Sequence, residues 1–170
     1  MNPKLLLGLA LLLGGVLLGC STIQPSKEPV LYHNAKYDFT FSLPSDWRDY
    51  SVSIQQLEDE NYSPAEDKQI VVGHTPMITL RHPQWRADAP YQDIPILIFT
   101  RAQWDSLHRG QLWPSIFAGG MMDELWHNQK YVFAMSSRYN AADVMRGWDE
   151  VEDIVRQNCA SHKMMHLYPE

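Results

Sequence analysis

Apolar and polar residues alternate along Tyr37–Leu43, where every second side chain is apolar. Side chains of a β-strand point to opposite faces with a period of two, so the pattern predicts a strand with one buried face. Pro44–Trp47 is predicted to turn the chain. A second alternating strand is predicted for Tyr50–Leu57, with Val52 and Ile54 on one face.

Residues 58–99 mix polar segments with short apolar ones. Glu58–Lys68 is polar and contains a proline, which predicts a loop. Ile70–Val72 and Met77–Leu80 are predicted as two short strands, and His82–Asp93 as a long connection. Ile94–Phe99 is apolar throughout, which predicts a strand buried on both faces.

The sequence predicts that a helix starts at Thr100. Thr100 and Gln103 have the spacing of a capping box, in which each side chain accepts a hydrogen bond from the other residue's backbone amide. Gly110 is placed to end this short helix.

Two strands and one helix are predicted towards the C-terminus. Gln111–Phe117 and Tyr131–Met135 are the predicted strands. A final helix carries one apolar stripe, made of Trp148, Val151, Ile154 and Val155. Strands joined mostly by turns, with few helices, predict an α+β domain built on a mostly antiparallel sheet.

An apolar run, Leu5–Leu18, follows Lys4 and ends two residues before Cys20. As a helix it would be about 21 Å long, which is short for a bilayer span. A basic start, a short apolar region and small residues before a cut site are typical of an exported signal peptide, here residues 1–19. The box Leu-Leu-Gly-Cys at 17–20 resembles the signal of bacterial lipoproteins. That resemblance implies that Cys20 is lipidated and becomes the first residue of the mature chain.

The predicted location is the bacterial cell envelope. Two or three acyl chains at Cys20 would anchor the protein to a membrane in practice permanently. Ser21 follows the cysteine, and its similarity to the sorting signal of outer-membrane lipoproteins implies an outer-membrane protein facing the periplasm. In a Gram-positive host the same anchor would place the protein on the cell surface.

Four segments are predicted along the chain. They are the signal peptide 1–19, a lipidated tether 20–34 that contains two prolines, a single domain 35–159, and a C-terminal tail 160–170.

Charge and cysteine content restrict the partners. The net charge is −6, so nucleic acid is excluded as a partner. With Cys20 lipidated, Cys159 is the one remaining cysteine and cannot form an intramolecular disulfide.

Two resemblances concern the folded part. Y-D-F-T-F-S-L-P-S-D-W at 37–47 and the closing helix at 148–157 resemble the frame of PsbP-like and DcrB-like proteins, which implies an α/β/α sandwich. R-H-P-Q-W at 81–85, the segment 92–104 and N-x-K-Y-V-F-A-M at 128–135 resemble a group of uncharacterised bacterial lipoproteins. Neither resemblance supplies catalytic residues or a cofactor.

No common catalytic motif is present, including H-E-x-x-H, G-x-S-x-G, the phosphate-binding glycine loops and C-x-x-C. The sequence therefore predicts a non-catalytic binding or accessory domain without a cofactor, with an envelope protein as a possible partner. A hydrolase whose Ser, His and Asp meet only in the fold is one alternative.

The second alternative is a metal-binding lipoprotein. Cys159, His162 and His166, with two neighbouring methionines, combine the donors that copper(I) and zinc prefer. If the last helix continued, these three residues would share one face. The competing interpretations are a fraying chain end and an intermolecular disulfide at Cys159.

Ligand-binding candidates lie in the proline-containing connection. Trp85 stands between Arg81 and Arg86 and is the aromatic residue that core packing explains least well. His82 and His127 are predicted to be surface or hydrogen-bonded structural residues rather than ligands.

Overall fold

The computed structural model describes residues 28–115, 122–136 and 145–167, with side chains up to 161. These residues form a mostly antiparallel β-structure with two α-helices, compatible with the predicted α+β class. The elements are β1 Val30–Asn34, β2 Phe39–Leu43, β3 Ser51–Ser63, β4 Lys68–Arg81, β5 Ile94–Thr100, α1 Arg101–His108, β6 Trp113–Pro114, β7 Met122–His127, β8 Tyr131–Ser136 and α2 Trp148–Leu167. A 3₁₀ turn occupies Ser45–Trp47, within the predicted turn.

Six strands form one sheet in the order β6-β3-β4-β5-β8-β7, and every neighbouring pair is antiparallel. β1 and β2 form a separate antiparallel hairpin. β5 lies inside the sheet, and Ile94–Phe99 is buried on both faces, as predicted. Its apolar run therefore separates two cores.

The two cores lie on opposite faces of the sheet. One contains Ile94, Ile96 and Ile98 of β5, the apolar side chains of β2, and the apolar stripe of α2. The other contains Leu97 and Phe99 with α1 packed against them. The period of two along β5 thus distributes alternate residues to different covering layers.

The helix ends follow the predicted signals. The backbone N–H of Gln103 donates to Thr100 Oγ1 at 3.2 Å, and the Thr100 N–H donates to Gln103 Oε1 at 2.9 Å, so the capping box is formed. Gly110 has φ +66°, the left-handed conformation that favours glycine after a helix. Val151 and Ile154 of the predicted α2 stripe are buried.

The predicted loop at Glu58–Lys68 is wrong. β3 continues through Ser63, and the turn to β4 is confined to residues 64–67. Beyond residue 57 the two strands form a ribbon whose residues up to 74 are exposed or partly exposed, apart from the buried Asp59. Its polar composition therefore reflected contact with solvent rather than the absence of a strand.

The two short strands predicted within 70–80 are one continuous strand, β4. The pairing register shifts at one point: Asp59 pairs with Gly73, but Glu60 pairs with Val71, so Val72 is an extra residue in β4. β5 pairs with β4 only from Met77 to Leu80, so Pro76 lies beside an open edge, where a residue without an N–H is tolerated.

The predicted tether 20–34 is wrong for its last five residues, which form β1 and pair with β2 from Val30↔Leu43 to Asn34↔Phe39. The Tyr32 side chain of β1 is buried in the first core. The two prolines before Val30 favoured the tether, although Val30, Leu31 and Tyr32 begin the strand.

Two further boundaries differ from the sequence prediction. Only Trp113–Pro114 of the predicted strand Gln111–Phe117 is β-structure, and residues 116–117 lie outside the described residues. The backbone of α2 continues through Leu167, past the predicted start of the tail at residue 160.

Candidate functional site

Three distant segments bring polar side chains together at one end of the first core. Asp46 lies in the 3₁₀ turn, His82 directly after β4, and Glu150 in the first turn of α2. One ligand-type atom from each of these residues lies within 4.8 Å of the others. His82 is 2% exposed, whereas Asp46 is exposed and Glu150 is intermediate.

Both oxygens of the Glu150 carboxylate accept hydrogen bonds. Trp47 Nε1 donates to Oε1 at 2.7 Å, and the Tyr91 hydroxyl donates to Oε2. Burial raises the pKa of Tyr91 to about 12, and the hydrogen bond to Glu150 acts in the same direction. Tyr91 therefore remains a protonated donor at neutral pH. The position of Glu150 near the helix N-terminus also favours its negative charge.

The His82 ring is enclosed by aromatic side chains. It stacks on Tyr91 with ring centroids 4.0 Å apart, and Trp47 meets it edge-on at 4.8 Å. The backbone N–H of Gln84 donates to His82 Nδ1 at 3.0 Å. This bond assigns the ring proton to Nε2. Burial lowers the pKa of His82, although the charges of Glu150 and Asp46 oppose the shift.

This tautomer argues against metal binding at the cluster. A metal ion at Nε2 needs the lone pair of that nitrogen, but neutral histidine has one such lone pair, and Nδ1 uses it to accept from Gln84. His82 Nε2 is itself buried and has no hydrogen-bond partner among the described residues. Chemically, His82 is a neutral histidine that keeps its proton on Nε2.

Arg146 and Gly147 form the outer wall of the cluster. The Arg146 guanidinium lies 5.3 Å from the Tyr91 ring centroid, and its Nη2 donates to Gln84 Oε1 at 2.6 Å. Gly147 has φ +83°, and a Cβ at this position would lie 2.0 Å from Tyr91 Cε1. Only glycine fits there.

Asp46, His82 and Glu150 are far apart in the sequence, and no motif predicts that they meet. His82 was expected to be surface or structural, and the structure places it in the core with a backbone hydrogen bond. Glu150 lies outside the apolar stripe of the last helix, yet it accepts from two buried aromatic residues. The sequence signal nearest to the cluster was the predicted turn at Pro44–Trp47, which contains Asp46.

The predicted ligand-binding residues contact one another and their neighbours. Arg81 Nη2 pairs with Asp93 Oδ2 at 2.7 Å, and the Arg81 guanidinium lies 4.0 Å from the Trp85 ring centroid. Trp85 is partly buried against the first core. Arg86 instead pairs with Asp88 on the surface. The structure therefore joins Arg81 and Trp85 but leaves Arg86 apart from them.

The predicted metal ligands of the tail are partly described. Cys159 is partly buried against the first core and forms no disulfide among the described residues. His162 and His166 belong to the backbone of α2, but their side chains lie outside the described part. Cys20 also lies outside it. Metal binding by the tail and lipidation of Cys20 stay predictions.

A second buried polar group lies on the other face of the sheet. Asp59 is fully buried, and its Oδ2 accepts from Thr75 Oγ1 at 3.0 Å and from Gln103 Nε2 at 3.1 Å. Burial raises the pKa of Asp59, and the two hydrogen bonds partly oppose this shift. The sequence had placed Asp59 in a loop.

No protein-family model, curated protein or solved structure matches this chain. The resemblances drawn from the sequence therefore remain predictions. Within the described residues, no helix has both the length and the apolar character required to cross a bilayer. What defines this protein is therefore its fold class, which is a mostly antiparallel sheet with two helices in the described residues.

Proposed function

We propose that this protein is a lipid-anchored domain of the bacterial cell envelope that binds proteins and has no catalytic activity. The Leu-Leu-Gly-Cys box at 17–20 supports the anchor, and Ser21 supports the outer membrane facing the periplasm. The segments at 37–47 and 148–157 support a PsbP-like or DcrB-like α/β/α sandwich as the finer fold. The proposed binding partner is another protein of the envelope, and the partner for which the structure gives an argument is a second copy of this chain.

The hydrogen bonds of the His82 cluster support a structural role rather than catalysis. Both oxygens of Glu150 and Nδ1 of His82 accept from donors of the same chain. A catalytic base needs an acceptor that is open to a substrate proton. The acceptors of His82 and Glu150 are occupied, as in buried networks that fix a fold, and the third carboxylate of the cluster, that of Asp46, is exposed.

The observation that carries the proposal is the outer edge of β3. Ser51–Leu57 pairs only with β4 among the described residues, and the first six of these residues are exposed. The segment carries no charge, although the chain has a net charge of −6. Natural proteins usually protect such an edge with charges, proline or a covering element. An unprotected, uncharged edge favours the addition of another strand.

The apolar side chains of this edge continue the first core outward. Val52 is opposite Leu80 and Ile54 is opposite Ile78, and both β4 residues are fully buried in that core. Val52 and Ile54 nevertheless remain 41% and 58% exposed. The core face therefore extends beyond its covering layer.

A second copy complements this edge. Antiparallel pairing about a twofold axis at Ser53 places Val52 of each copy opposite Ile54 of the other. The polar Ser51 is then opposite Gln55. The Val52 and Ile54 side chains of the two copies would then contact each other on one face. Because Ser51–Leu57 has no charged residue, this pairing causes no charge repulsion within the segment.

Disulfide trapping tests this pairing on the lipidated protein in detergent. Directly opposed residues of an antiparallel pair have Cα atoms about 4.5–5.5 Å apart, within disulfide range. Ser53→Cys, made together with Cys159→Ala as in its control, should therefore give an oxidised dimer. Gln55→Cys is the matched control, because two residues 55 would lie roughly four residue rises, about 13 Å, apart. Equal trapping of the two variants, or of neither, would overturn the pairing.

Sedimentation gives an independent measurement. Ile54→Lys should convert the dimer to a monomer, because it places a charge in the apolar contact. Val72→Lys makes the same change at an exposed apolar residue of β4 outside the edge, and it should leave the dimer intact. A wild-type protein that is monomeric at all concentrations would contradict self-association.

A further inference from the structure

The exposed large apolar side chains of the described residues are concentrated in β1 and in the ribbon formed by β3, β4 and β6. They are Leu31, Val52, Ile54, Tyr62, Val71, Val72 and Trp113. None of these seven lies in α1, α2, β5, β7 or β8. Exposed apolar surface gathered in one region is typical of a site that contacts a protein or a membrane.

The apolar residues of β3 share one face of the sheet, the face that contains the first core. Ile54 is opposite Ile78, which is buried in that core. The extra residue at the register shift is Val72 of β4, so β3 itself alternates without interruption up to Tyr62. Val52, Ile54 and Tyr62 are therefore all on the first-core face.

Cross-strand pairs extend this exposed face over the whole width of the ribbon. Glu60 has the same alternation as Ile54, and it is opposite Val71 of β4 and Trp113 of β6. Directly opposed residues of antiparallel strands share a face, so Val71 and Trp113 also lie on the first-core face. Both are exposed, because the layer that covers the first core does not extend over them.

The N-terminal segment leaves the domain on the same side of the sheet. β1 and β2 belong to the layer over this face, since Tyr32 and Phe41 pack in the first core. Leu31 alternates with the inward residues of β1 and is exposed on the outside of that layer. Val30 is ten residues after Cys20, so an anchor at Cys20 would hold this side within about 35 Å of the bilayer.

We propose that this side of the domain rests on the surface of the bilayer that holds the anchor. The inference rests on the proposed lipidation of Cys20. Trp113 and Tyr62 suit the boundary between head groups and acyl chains, where both residue types are enriched, and Leu31 and Val71 add apolar contact. Because the anchor keeps the domain at the membrane, a weak contact is sufficient to orient it.

Charge determines the class of lipid. Glu58 and Glu60 alternate with the same phase as Ile54 and therefore lie on the same face, and the chain has a net charge of −6. Anionic head groups are repelled by such a surface. The surface therefore fits a zwitterionic lipid such as phosphatidylethanolamine.

The proposed dimer is compatible with this orientation. Pairing of β3 with β3 about a twofold axis perpendicular to the sheet continues one sheet through both copies. The first-core faces and the anchors of the two copies then lie on the same side, so both can contact one bilayer. Membrane contact does not require the dimer, because each copy carries the whole surface.

Quenching by spin-labelled lipid measures the contact position by position on the full chain with its anchor. Each variant carries Cys159→Ala and one new cysteine that bears a fluorophore. Leu31→Cys reports on the hairpin and Tyr62→Cys on the ribbon; because strands twist, the two ends of the surface are sampled separately. The vesicles contain phosphatidylethanolamine and phosphatidylcholine with a doxyl group near the head group.

Asn61→Cys and Ala102→Cys are the matched controls. Asn61 is the neighbour of Tyr62 on the opposite face of β3, and Ala102 is exposed on α1, which covers that opposite face. We expect quenching at residues 31 and 62 to be at least twofold stronger than at residues 61 and 102. Equal quenching at the four positions, or stronger quenching at the controls, would overturn the proposal.

Mass spectrometry of the purified chain separates this inference from the proposed function. A chain without acyl groups at Cys20 would contradict the anchor and, with it, the membrane contact. An acylated chain that is not quenched at residues 31 and 62 would contradict the membrane contact alone. Replacement of part of the lipid by anionic phosphatidylglycerol should weaken the quenching, and stronger quenching would contradict the lipid class.

Discussion

Gly147 occupies a position that other residues cannot adopt. Its φ is +83°, and a Cβ would lie 2.0 Å from Tyr91 Cε1, so the Tyr91 ring would have to move. That ring also stacks on His82 and donates to Glu150. We expect Gly147→Ala to lower the free energy of unfolding by about 2–5 kcal/mol, the sum of backbone strain and overpacking. Chemical denaturation measures this loss.

Gly110→Ala provides the control for backbone strain alone. Gly110 also has positive φ, +66°, but a Cβ there would lie 3.5 Å from the Trp113 ring, an ordinary contact. The expected loss is about 1–2 kcal/mol. Equal losses in the two variants would show that the Tyr91 contact has no special cost.

His82 should make stability depend on pH. Its folded-state pKa is lowered by burial from the ordinary value of 6.5. As pH falls below 6.5, the unfolded chain binds this proton before the folded one, so stability is complete above that pH and decreases towards the folded-state pKa. Protonation would also oppose the bond from Gln84 to Nδ1.

The measurement is the denaturation midpoint of wild type and His82→Gln between pH 5 and 7.5. The variant should lose part of the decrease at acidic pH. The raised pKa of Asp59 has the opposite sign, because its folded state binds a proton more readily. The difference between the two proteins therefore isolates His82, and identical pH profiles would rule out its contribution.

At the scale of elements, β5 should tolerate no charge. Ile98 is 1% exposed and lies in the strand that separates the two cores. Ile98→Asp buries a carboxylate without a partner, which costs several kcal/mol of a typical margin of about 5–15. We expect an unfolded protein by circular dichroism.

Thr100→Asp is the matched control at the exposed end of the same strand. Aspartate is also a favoured N-cap residue, so α1 should keep its start and stability should change by less than about 1 kcal/mol. A folded Ile98→Asp variant with unchanged melting would contradict the central position of β5.

At the scale of the whole molecule, the anchor and the fold should be separable. Cys20→Ala should abolish lipid attachment, because it removes the thiol that would carry the acyl chains. It should leave the domain folded, because the proline-containing sequence after Cys20 predicts a tether rather than a part of the core. Metabolic labelling with a fatty acid measures attachment. Cys159→Ala removes the other cysteine and should retain the label, whereas label persisting in Cys20→Ala would contradict the anchor.

Local patterns predicted the elements that are regular over a few residues. Alternation at 37–43 corresponds to β2, and the apolar run at 94–99 corresponds to β5. The capping box at Thr100 and the stripe from Trp148 correspond to α1 and α2. Such signals depend on neighbours along the chain, and the sequence contains them in full.

The long hairpin and the sites required the tertiary structure. The polar ribbon of β3 and β4 is held by a backbone ladder, which side-chain polarity does not encode. His82 meets Glu150 only because the sheet and the final helix pack together. The sequence by itself determined the local elements, because their periods and caps are local properties. Burial and convergence of distant polar groups depend on long-range packing, and the fold alone decided them.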